Sequence, residues 1–157
     1  MCIRDRYLRD DDEHFFLTYG DAVADIDFNA LLHHHQSTRK TLTLSAVHPV
    51  GRFGELGIDA EGDVTGFHEK PEAEQGFING GFMVAHKQPL MDYLSEDPDL
   101  IFETGPMQRI QKDQQMAAYQ HEGFWQCMDN PREHSLLNEL WDAGDAPSTR
   151  AWLRGGA

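Results

Sequence analysis

The order of apolar patterns between residues 15 and 47 constrains the fold more than any other feature of the sequence. A short apolar run, Phe15 to Thr18, is followed by DIDFNALLHHHQSTRK, in which apolar residues recur at helical spacing, and then by TLTLSAV, which alternates as a strand does. Either Asp25 or Asp27 can cap the helix. Strand, helix and strand in this order form a βαβ unit, which implies a parallel sheet with a right-handed crossover. We therefore expect Phe15–Thr18 to be buried on both faces of such a sheet.

The rest of the sequence continues the alternation of strands and helices. Two strand patterns flank Asp59–Asp63, which predicts a hairpin. Further strands are predicted at Ile78–Ala85, Met116–His121 and Phe124–Met128, and helices at Gln88–Leu94, Pro106–Gln114 and Pro131–Ala143. The pattern as a whole indicates an α/β fold in a single domain.

Charge and cysteine content narrow the classes of function. The chain has 157 residues, with 13 Lys and Arg against 27 Asp and Glu, a net charge of -14. This balance argues against nucleic acid as a partner, because such surfaces need cations to replace counterions. No apolar run is long enough for a membrane helix, and no secretory signal is present. Two cysteines, Cys2 and Cys127, form no disulfide framework, so we expect a reduced, cytoplasmic setting.

A carboxylate directly follows the first predicted strand. Asp21 comes after Gly20 at the end of FFLTYGD. In open α/β sheets ligands bind outside the carboxyl ends of strands, so Asp21 is a candidate site residue. Gly and Asp are also common turn residues, and a simple turn is the alternative.

A second cluster combines charged residues with glycines. Glu69 and Lys70 end one predicted strand, and Asn79 and Gly80 begin the next. Glycine inside a strand marks a bulge or a close ligand contact. Together these residues could hold a polyhydroxylated, phosphorylated molecule, and the alternative is a surface ion pair beside a bulged strand.

A second carboxylate, Asp129, follows the strand pattern Trp125–Met128. It could cap the helix that begins at Pro131. Alternatively, Asp21 and Asp129 could form a two-sided magnesium site, since Mg²⁺ takes one or two protein carboxylates and fills its shell with phosphates and water.

Five motifs in order, YGDAVADID, GRFGEL, VTGFHEKPE, GFINGGFMV and GFWQCMDNPREHSLLNELWDAG, resemble the sugar-1-phosphate nucleotidyltransferase family, and its cytidylyltransferase branch more than its thymidylyltransferase branch. The resemblance runs from about Phe15 to Pro147. It implies a Rossmann-like α/β fold, with a mixed, mostly parallel sheet flanked by helices and incomplete at the N-terminus. We expect a domain over residues 10–147, a leader of residues 1–9 that is non-native or disordered, and a tail of residues 148–157.

The resemblance also implies roles for the candidate residues. Asp21 and Asp129 would bind Mg²⁺ between the phosphates, and Lys70 would hold the phosphate of the sugar. Sugar hydroxyls would be bound by Glu69 and Asn79, and backbone groups would be presented by Gly54 and Gly80. The implied reaction joins CTP and glucose 1-phosphate to give CDP-glucose and pyrophosphate, a step of nucleotide-sugar and O-antigen synthesis, and the family forms homo-oligomers.

Two departures and one absence qualify that resemblance. Cys127 stands where the family usually has proline, and Asn130 where it usually has threonine; we interpret Cys127 as a buried small residue. The family's N-terminal Gly-rich loop, which holds the nucleotide, is not found in this sequence, so we expect the chain alone to be inactive. Open alternatives are a sibling thymidylyl- or uridylyltransferase and a noncatalytic sugar-phosphate-binding module. His33, His34 and His35 are expected on an exposed helix face.

Overall fold

A computed structural model describes residues 8–9, 11–49, 55–60, 62–68, 76–95, 97 and 99–144 of the chain. The chain divides into two compact units, each composed of three segments. The first unit comprises Met1–Gly20, Ile26–Ser45 and Asn79–Gln120, and the second comprises Asp21–Asp25, Ala46–Ile78 and His121–Ala157.

Strands and helices alternate along the described residues. The strands are β1 (His14–Thr18), β2 (Ala22–Ala24), β3 (Leu42–Val47), β4 (Glu55–Ile58), β5 (Val64–His68), β6 (Ile78–His86), β7 (Met116–His121) and β8 (Trp125–Cys127). The helices are α1 (Phe28–Thr38), α2 (Lys87–Met91), α3 (Pro106–Lys112) and α4 (Pro131–Asp142). Within the described part of the chain, no helix has the length and apolar character that crossing a membrane requires.

A four-stranded sheet in the order β1-β6-β3-β7 forms most of the first unit. Strand β1 pairs with β6 in antiparallel register, with Phe15 opposite Ala85. The end of β6 lies beside the start of β3, since the amide of His86 donates to the carbonyl of Thr41. The starts of β3 and β7 lie side by side through the bond from Leu42 N to the carbonyl of Gln115. The mixed sheet with flanking helices agrees with the predicted fold class.

The predicted surroundings of β1 were wrong. This strand and β3 belong to one sheet but are not neighbours, because β6 lies between them and runs antiparallel to β1. Phe16 is 48% exposed, so β1 is not buried on both faces. The pattern of residues 15–47 cannot reveal this arrangement, since the inserted strand lies 30 residues or more further along the chain.

The core of the first unit forms where the sheet meets α2 and α3. Leu42, Met83, Ala85, Leu90 and Ile110 are buried there, each with at most 2% of its surface exposed. Fully burying a large aliphatic side chain contributes about 1.5–3 kcal/mol, so this cluster anchors both helices to the sheet.

Helix α1 begins at the predicted cap and buries one face. Asp27 Oδ1 accepts hydrogen bonds from the amides of Asn29 and Ala30. Leu31 and His35 lie on one face, four residues apart, and are buried. The expectation of three exposed histidines was therefore wrong for His35, whose Nδ1 lies 2.8 Å from Thr43 Oγ1 on β3.

The second unit contains two antiparallel ribbons and helix α4. Strands β4 and β5 form the predicted hairpin, closed by hydrogen bonds between Asp59 and Asp63. Strands β2 and β8 form the other ribbon, with Ala22 opposite Cys127. Strand β2 was not predicted from the sequence, and β8 is shorter than the predicted Phe124–Met128.

Candidate functional site

The ribbon of β2 and β8 brings the two predicted carboxylates to the same end. Asp21 immediately precedes β2, and its carbonyl accepts a hydrogen bond from the amide of Met128 at 2.8 Å. Asp129 is the next residue after Met128, and both aspartates are exposed. Two carboxylates that are 108 positions apart in the sequence are thus joined through adjacent backbone.

The start of α4 holds the backbone of Asp129 in place. Asn130, and not Asp129, caps this helix, because its Oδ1 accepts from the amide of Glu133 at 3.0 Å. Glu133 Oε2 in turn accepts from the amide of Asp129 at 2.8 Å. This reciprocal pair is a form of capping box. The alternative reading of Asp129 as the cap was therefore wrong, and its carboxylate is not used to cap α4.

Glu133 is a residue that the sequence analysis missed. Ligand atoms of Cys127, Asp129 and Glu133 lie within 4.8 Å of one another. The thiol of Cys127, which is half-buried, lies 3.6 Å from Glu133 Oε2. Glutamate at the third position of a helix that follows Asn is the capping-box signal, and this signal was available in the sequence.

The side chains at this end of the ribbon fit a hard divalent cation in their chemistry. Mg²⁺ takes oxygen ligands, commonly one or two carboxylates. Asp21 and Asp129 offer such oxygens, whereas Glu133 is occupied by the amide of Asp129 and the soft sulfur of Cys127 does not suit Mg²⁺.

Asn79 lies in the first unit, in a small polar cluster at the start of β6. Its Nδ2 donates to the hydroxyl of Tyr19 at 3.2 Å, and its Oδ1 accepts from the amide of Gly81 at 3.0 Å. These bonds fix the amide plane while leaving one N–H and one lone pair for a ligand. The role of Tyr19 in orienting Asn79 was not predicted.

Gly81 explains why the strand carries glycines. Its φ is 79°, a conformation that other residues rarely adopt, and a β-carbon there would lie 3.1 Å from Cδ2 of Tyr19. Gly80 beside it is buried. The remaining predicted residues, Gly54, Glu69 and Lys70, lie outside the described part of the chain.

A second feature of the second unit is a pairing of His121 with Asp25. Nε2 of His121 lies 3.0 Å from Asp25 Oδ1, and 3.2 Å from the carbonyl of Phe124. A β-carbon on Gly123 would collide with both side chains, so any other residue there would have to displace them. The pair links the residue after β2 to His121, four residues before β8, and thereby holds the ribbon at the end opposite Asp21 and Asp129.

Comparison with known proteins gives a consistent family. Residues 1–133 match the nucleotidyl transferase family. The chain is 42% identical over 137 residues to the glucose-1-phosphate cytidylyltransferase of Salmonella typhi, covering 87% of this chain and 52% of that protein. It is 24% identical to the glucose-1-phosphate adenylyltransferase of Halalkalibacterium halodurans, over 85% of this chain and 36% of that protein.

A solved structure supports the fold. HddC from Yersinia pseudotuberculosis matches with a TM-score of 0.53 at 21% identity, covering 87% of this chain and 58% of that one. The chain belongs to the nucleotidyl transferase family. Within that family it is similar, over most of its length, to glucose-1-phosphate cytidylyltransferases, and it spans about half the length of these curated relatives.

Proposed function

We propose that this chain forms part of a nucleotidyltransferase that makes CDP-glucose and pyrophosphate from CTP and α-D-glucose 1-phosphate. A phosphate oxygen of the sugar phosphate attacks the α-phosphorus of CTP, and the bond from that phosphorus to the bridging oxygen breaks as pyrophosphate leaves. The observation that carries the proposal is the backbone hydrogen bond from Met128 to Asp21, which places Asp21 beside the residue that precedes Asp129.

Some of the candidate residues would balance the charge of the phosphates, and others would position the sugar. Asp21 and Asp129 would hold Mg²⁺, which neutralises phosphate charge when it is bound. Lys70 would hold the phosphate of the sugar as a point charge. Asn79, oriented by Tyr19, would bind sugar hydroxyls together with Glu69, and Gly54 and Gly80 would admit the sugar close to the backbone.

Phosphoryl transfer of this kind depends on alignment and electrostatic stabilisation, with little covalent chemistry from the protein. A chain with a net charge of -14 can act on anionic substrates only where cations offset that charge. A magnesium site formed by Asp21 and Asp129 meets that requirement.

A sibling transferase that uses another nucleotide is the second candidate. The match to an adenylyltransferase favours this candidate, but the identity to that protein is 24%, whereas the identity to the cytidylyltransferase is 42%. The higher identity supports CTP as the nucleotide, and the same relative's name supports glucose 1-phosphate as the acceptor. A noncatalytic module of the same fold is the third candidate, and it would show no turnover even when this chain is joined to the part of the Salmonella typhi relative that it does not match.

Metal binding by the chain tests the proposed carboxylate pair directly. We expect Asp21→Asn and Asp129→Asn each to weaken Mg²⁺ or Mn²⁺ binding at least tenfold, since each removes one charged ligand, and a tenfold change corresponds to about 1.4 kcal/mol. Isothermal titration calorimetry with the 157-residue chain measures this.

Asp142→Asn, an exposed carboxylate on α4, is the matched control and should leave the affinity unchanged. Equal losses in all three variants would mean that the cation is attracted only by the general negative charge. No loss in Asp21→Asn would remove that residue from the site.

A further inference from the structure

A basic cleft in the first unit has no part in the proposed reaction. It has a volume of about 830 Å³ and lies between the end of α1, the end of β6 and helices α2 and α3. Four cations line it, namely Arg39, Lys40, Arg109 and Lys112, against two carboxylates, Asp92 and Asp113. Clefts of roughly 300–1,000 Å³ are typical of small-molecule sites.

The concentration of cations in this cleft is unusual for so acidic a chain. Seven Lys and Arg residues lie in the described part of the chain, and four of them line the cleft: the other three are Arg9, Lys87 and Arg132. The ion pairs found among described residues all involve histidine, so none of the four cations is within 4.0 Å of a described carboxylate. Among described residues, the cations of the cleft therefore form no direct ion pair with the two carboxylates that line it.

Two of the cations are held in place by contacts with the backbone. Arg109 donates from its guanidinium to the carbonyl of Tyr93, and lies 6.0 Å from the centre of the Tyr93 ring. Lys40 Nζ donates to the carbonyl of Gln114 at 2.7 Å. Each keeps further N–H donors, since a guanidinium has five and an ammonium three.

The other two cations are free to meet a ligand. The side chains of Arg39 and Lys112 are exposed and make no hydrogen bond or ion pair within the described ranges. One carboxylate of the cleft has a hydrogen-bond partner of its own, because Asp113 Oδ2 accepts a hydrogen bond from the hydroxyl of Tyr93 at 3.1 Å. This bond gives the anionic side chain of Asp113 a partner that is not a cation.

The backbone beside the cleft adds an independent observation. Among described residues other than glycine, only Arg39 and Gln114 have positive φ, of 54° and 57°. Glycine is the usual residue where a helix ends in this conformation, as α1 does at Arg39. Unfavourable backbone of this kind clusters at functional sites. Arg39 lines the cleft, and Gln114 lies between two residues that line it, Asp113 and Gln115.

The cleft is separate from the part of the first unit that contains Asn79. Asn79 lies near the start of β6. His86 lines the cleft and is the last residue of the same strand. They are seven positions apart along the strand, a distance of roughly 23 Å at about 3.3 Å per residue.

The helix macrodipole explains only part of this arrangement. Cations near the ends of α1 and α3 are favourable there, as Arg39, Arg109 and Lys112 are. That effect does not account for Lys40, which lies beyond α1 and bonds to the turn after α3. We propose that this cleft binds a phosphorylated small molecule through its phosphate, with Arg39 and Lys112 as the principal contacts and Arg109 and Lys40 as positioned supports.

Binding of inorganic pyrophosphate to the whole chain, with a chelator present to remove divalent metal, tests the proposal. Isothermal titration calorimetry at low ionic strength is the measurement. The double variant Arg39→Gln/Lys112→Gln should bind pyrophosphate at least tenfold more weakly than the unmodified chain. Arg9→Gln/Lys87→Gln changes the net charge equally outside the cleft, and should alter the affinity less than twofold.

A third double variant, Asp21→Asn/Asp129→Asn, separates this cleft from the proposed catalytic site and should retain pyrophosphate binding. Equal weakening by both cation pairs would show that general charge attracts the anion and would overturn the proposal. So would a cleft variant that lowers the thermal unfolding temperature but binds normally, because the cations would then serve only the helix ends. Absence of binding to the unmodified chain at millimolar pyrophosphate would also overturn it.

Discussion

His35 is the one member of the run His33–His35 that the first unit buries, with 1% of its surface exposed. Helix periodicity places it below Leu31, facing the sheet, where its Nδ1 meets Thr43. The rings of His14 and His86 lie nearby, with His14 5.1 Å from His35 and 4.9 Å from His86. Burial, followed by the charges of His14 and His86, lowers the pKa of His35 from 6.5 to about 4.

This lowered pKa predicts a loss of stability in acid. Well above pH 6.5 the ring is neutral in both the folded and the unfolded chain, so it adds no pH dependence there. Between pH 6.5 and about 4 the unfolded chain binds a proton that the folded chain does not, so the free energy of unfolding decreases as the pH falls. The full loss is on the order of 3 kcal/mol, at about 1.4 kcal/mol per pKa unit.

Urea unfolding at pH 7.5 and pH 5 measures the effect. His35→Gln should show a smaller drop in stability between these values than the unmodified chain, by about 2 kcal/mol. His33→Gln, an exposed position on the same helix, is the control and should keep the full drop. If His35→Gln retains the drop as well, the acid sensitivity arises from other groups.

At the candidate site, sequence patterns located individual residues better than they located their partners. Asp21 and Asp129 could be proposed because each follows an apolar strand pattern. Two contacts could not be predicted in this way. The hydrogen bond between Asn79 and Tyr19 joins residues 60 positions apart, and the pair of His121 and Asp25 joins residues 96 positions apart. Only Glu133 had a local signal, its spacing from Asn130.

At the scale of elements, the capping of α4 gives a second test. Asn130→Ala removes the acceptor for the amide of Glu133, and should lower the free energy of unfolding by about 0.5–2 kcal/mol. Asn130→Thr should cost much less, since threonine also caps, and it restores the residue usual in the family. Chemical denaturation with circular dichroism detection measures both.

Asp129→Asn provides the contrast in that experiment. The carboxylate of Asp129 does not cap α4, so its removal should change stability by less than about 0.5 kcal/mol, the usual range for exposed positions. A cost for Asp129→Asn equal to that of Asn130→Ala would assign the capping role to Asp129 and weaken its assignment as a metal ligand.

Elements with strong local patterns were predicted well. Strands β3, β6 and β7 and helices α3 and α4 lie within a residue or two of their predicted bounds, because alternation and a proline at the start of a helix are local signals. Strand β2 has only three residues, and it forms through pairing with β8 more than 100 positions away. The parallel surroundings expected for β1 were wrong for the same physical reason: sequence periodicity carries no information on which distant strand pairs with a given strand.

At the scale of the whole molecule, we expect the 157-residue chain by itself to show no nucleotidyl transfer. It spans about half the length of its cytidylyltransferase relatives, and the sequence resemblance implies that the backbone donors for a triphosphate come from the part of those proteins that it does not match. Losing the alignment of reacting groups can remove as much as about 7–11 kcal/mol of rate advantage. Release of pyrophosphate from CTP, glucose 1-phosphate and Mg²⁺ is the assay.

The same assay, on the chain joined to the part of the Salmonella typhi relative that it does not match, serves as the positive control. That protein should use glucose 1-phosphate, and Lys70→Ala should impair this use more than it impairs CTP binding. Turnover by the 157-residue chain at a comparable rate would show that the nucleotide is held without the additional half.

The division of the chain into interleaved units has a consequence for its synthesis. The backbone passes from one unit to the other five times, after Gly20, Asp25, Ser45, Ile78 and Gln120. During synthesis, β1 can therefore pair only after Ala85, the partner of Phe15, has been translated. Strand β2 can pair only after Cys127, the partner of Ala22, has been translated. At about 5–20 residues per second, the β2 ribbon stays unpaired for several seconds or longer. Each unit thus awaits segments that are translated long after its first strand, and the unpaired strands of the nascent polypeptide are open to chaperones in that interval.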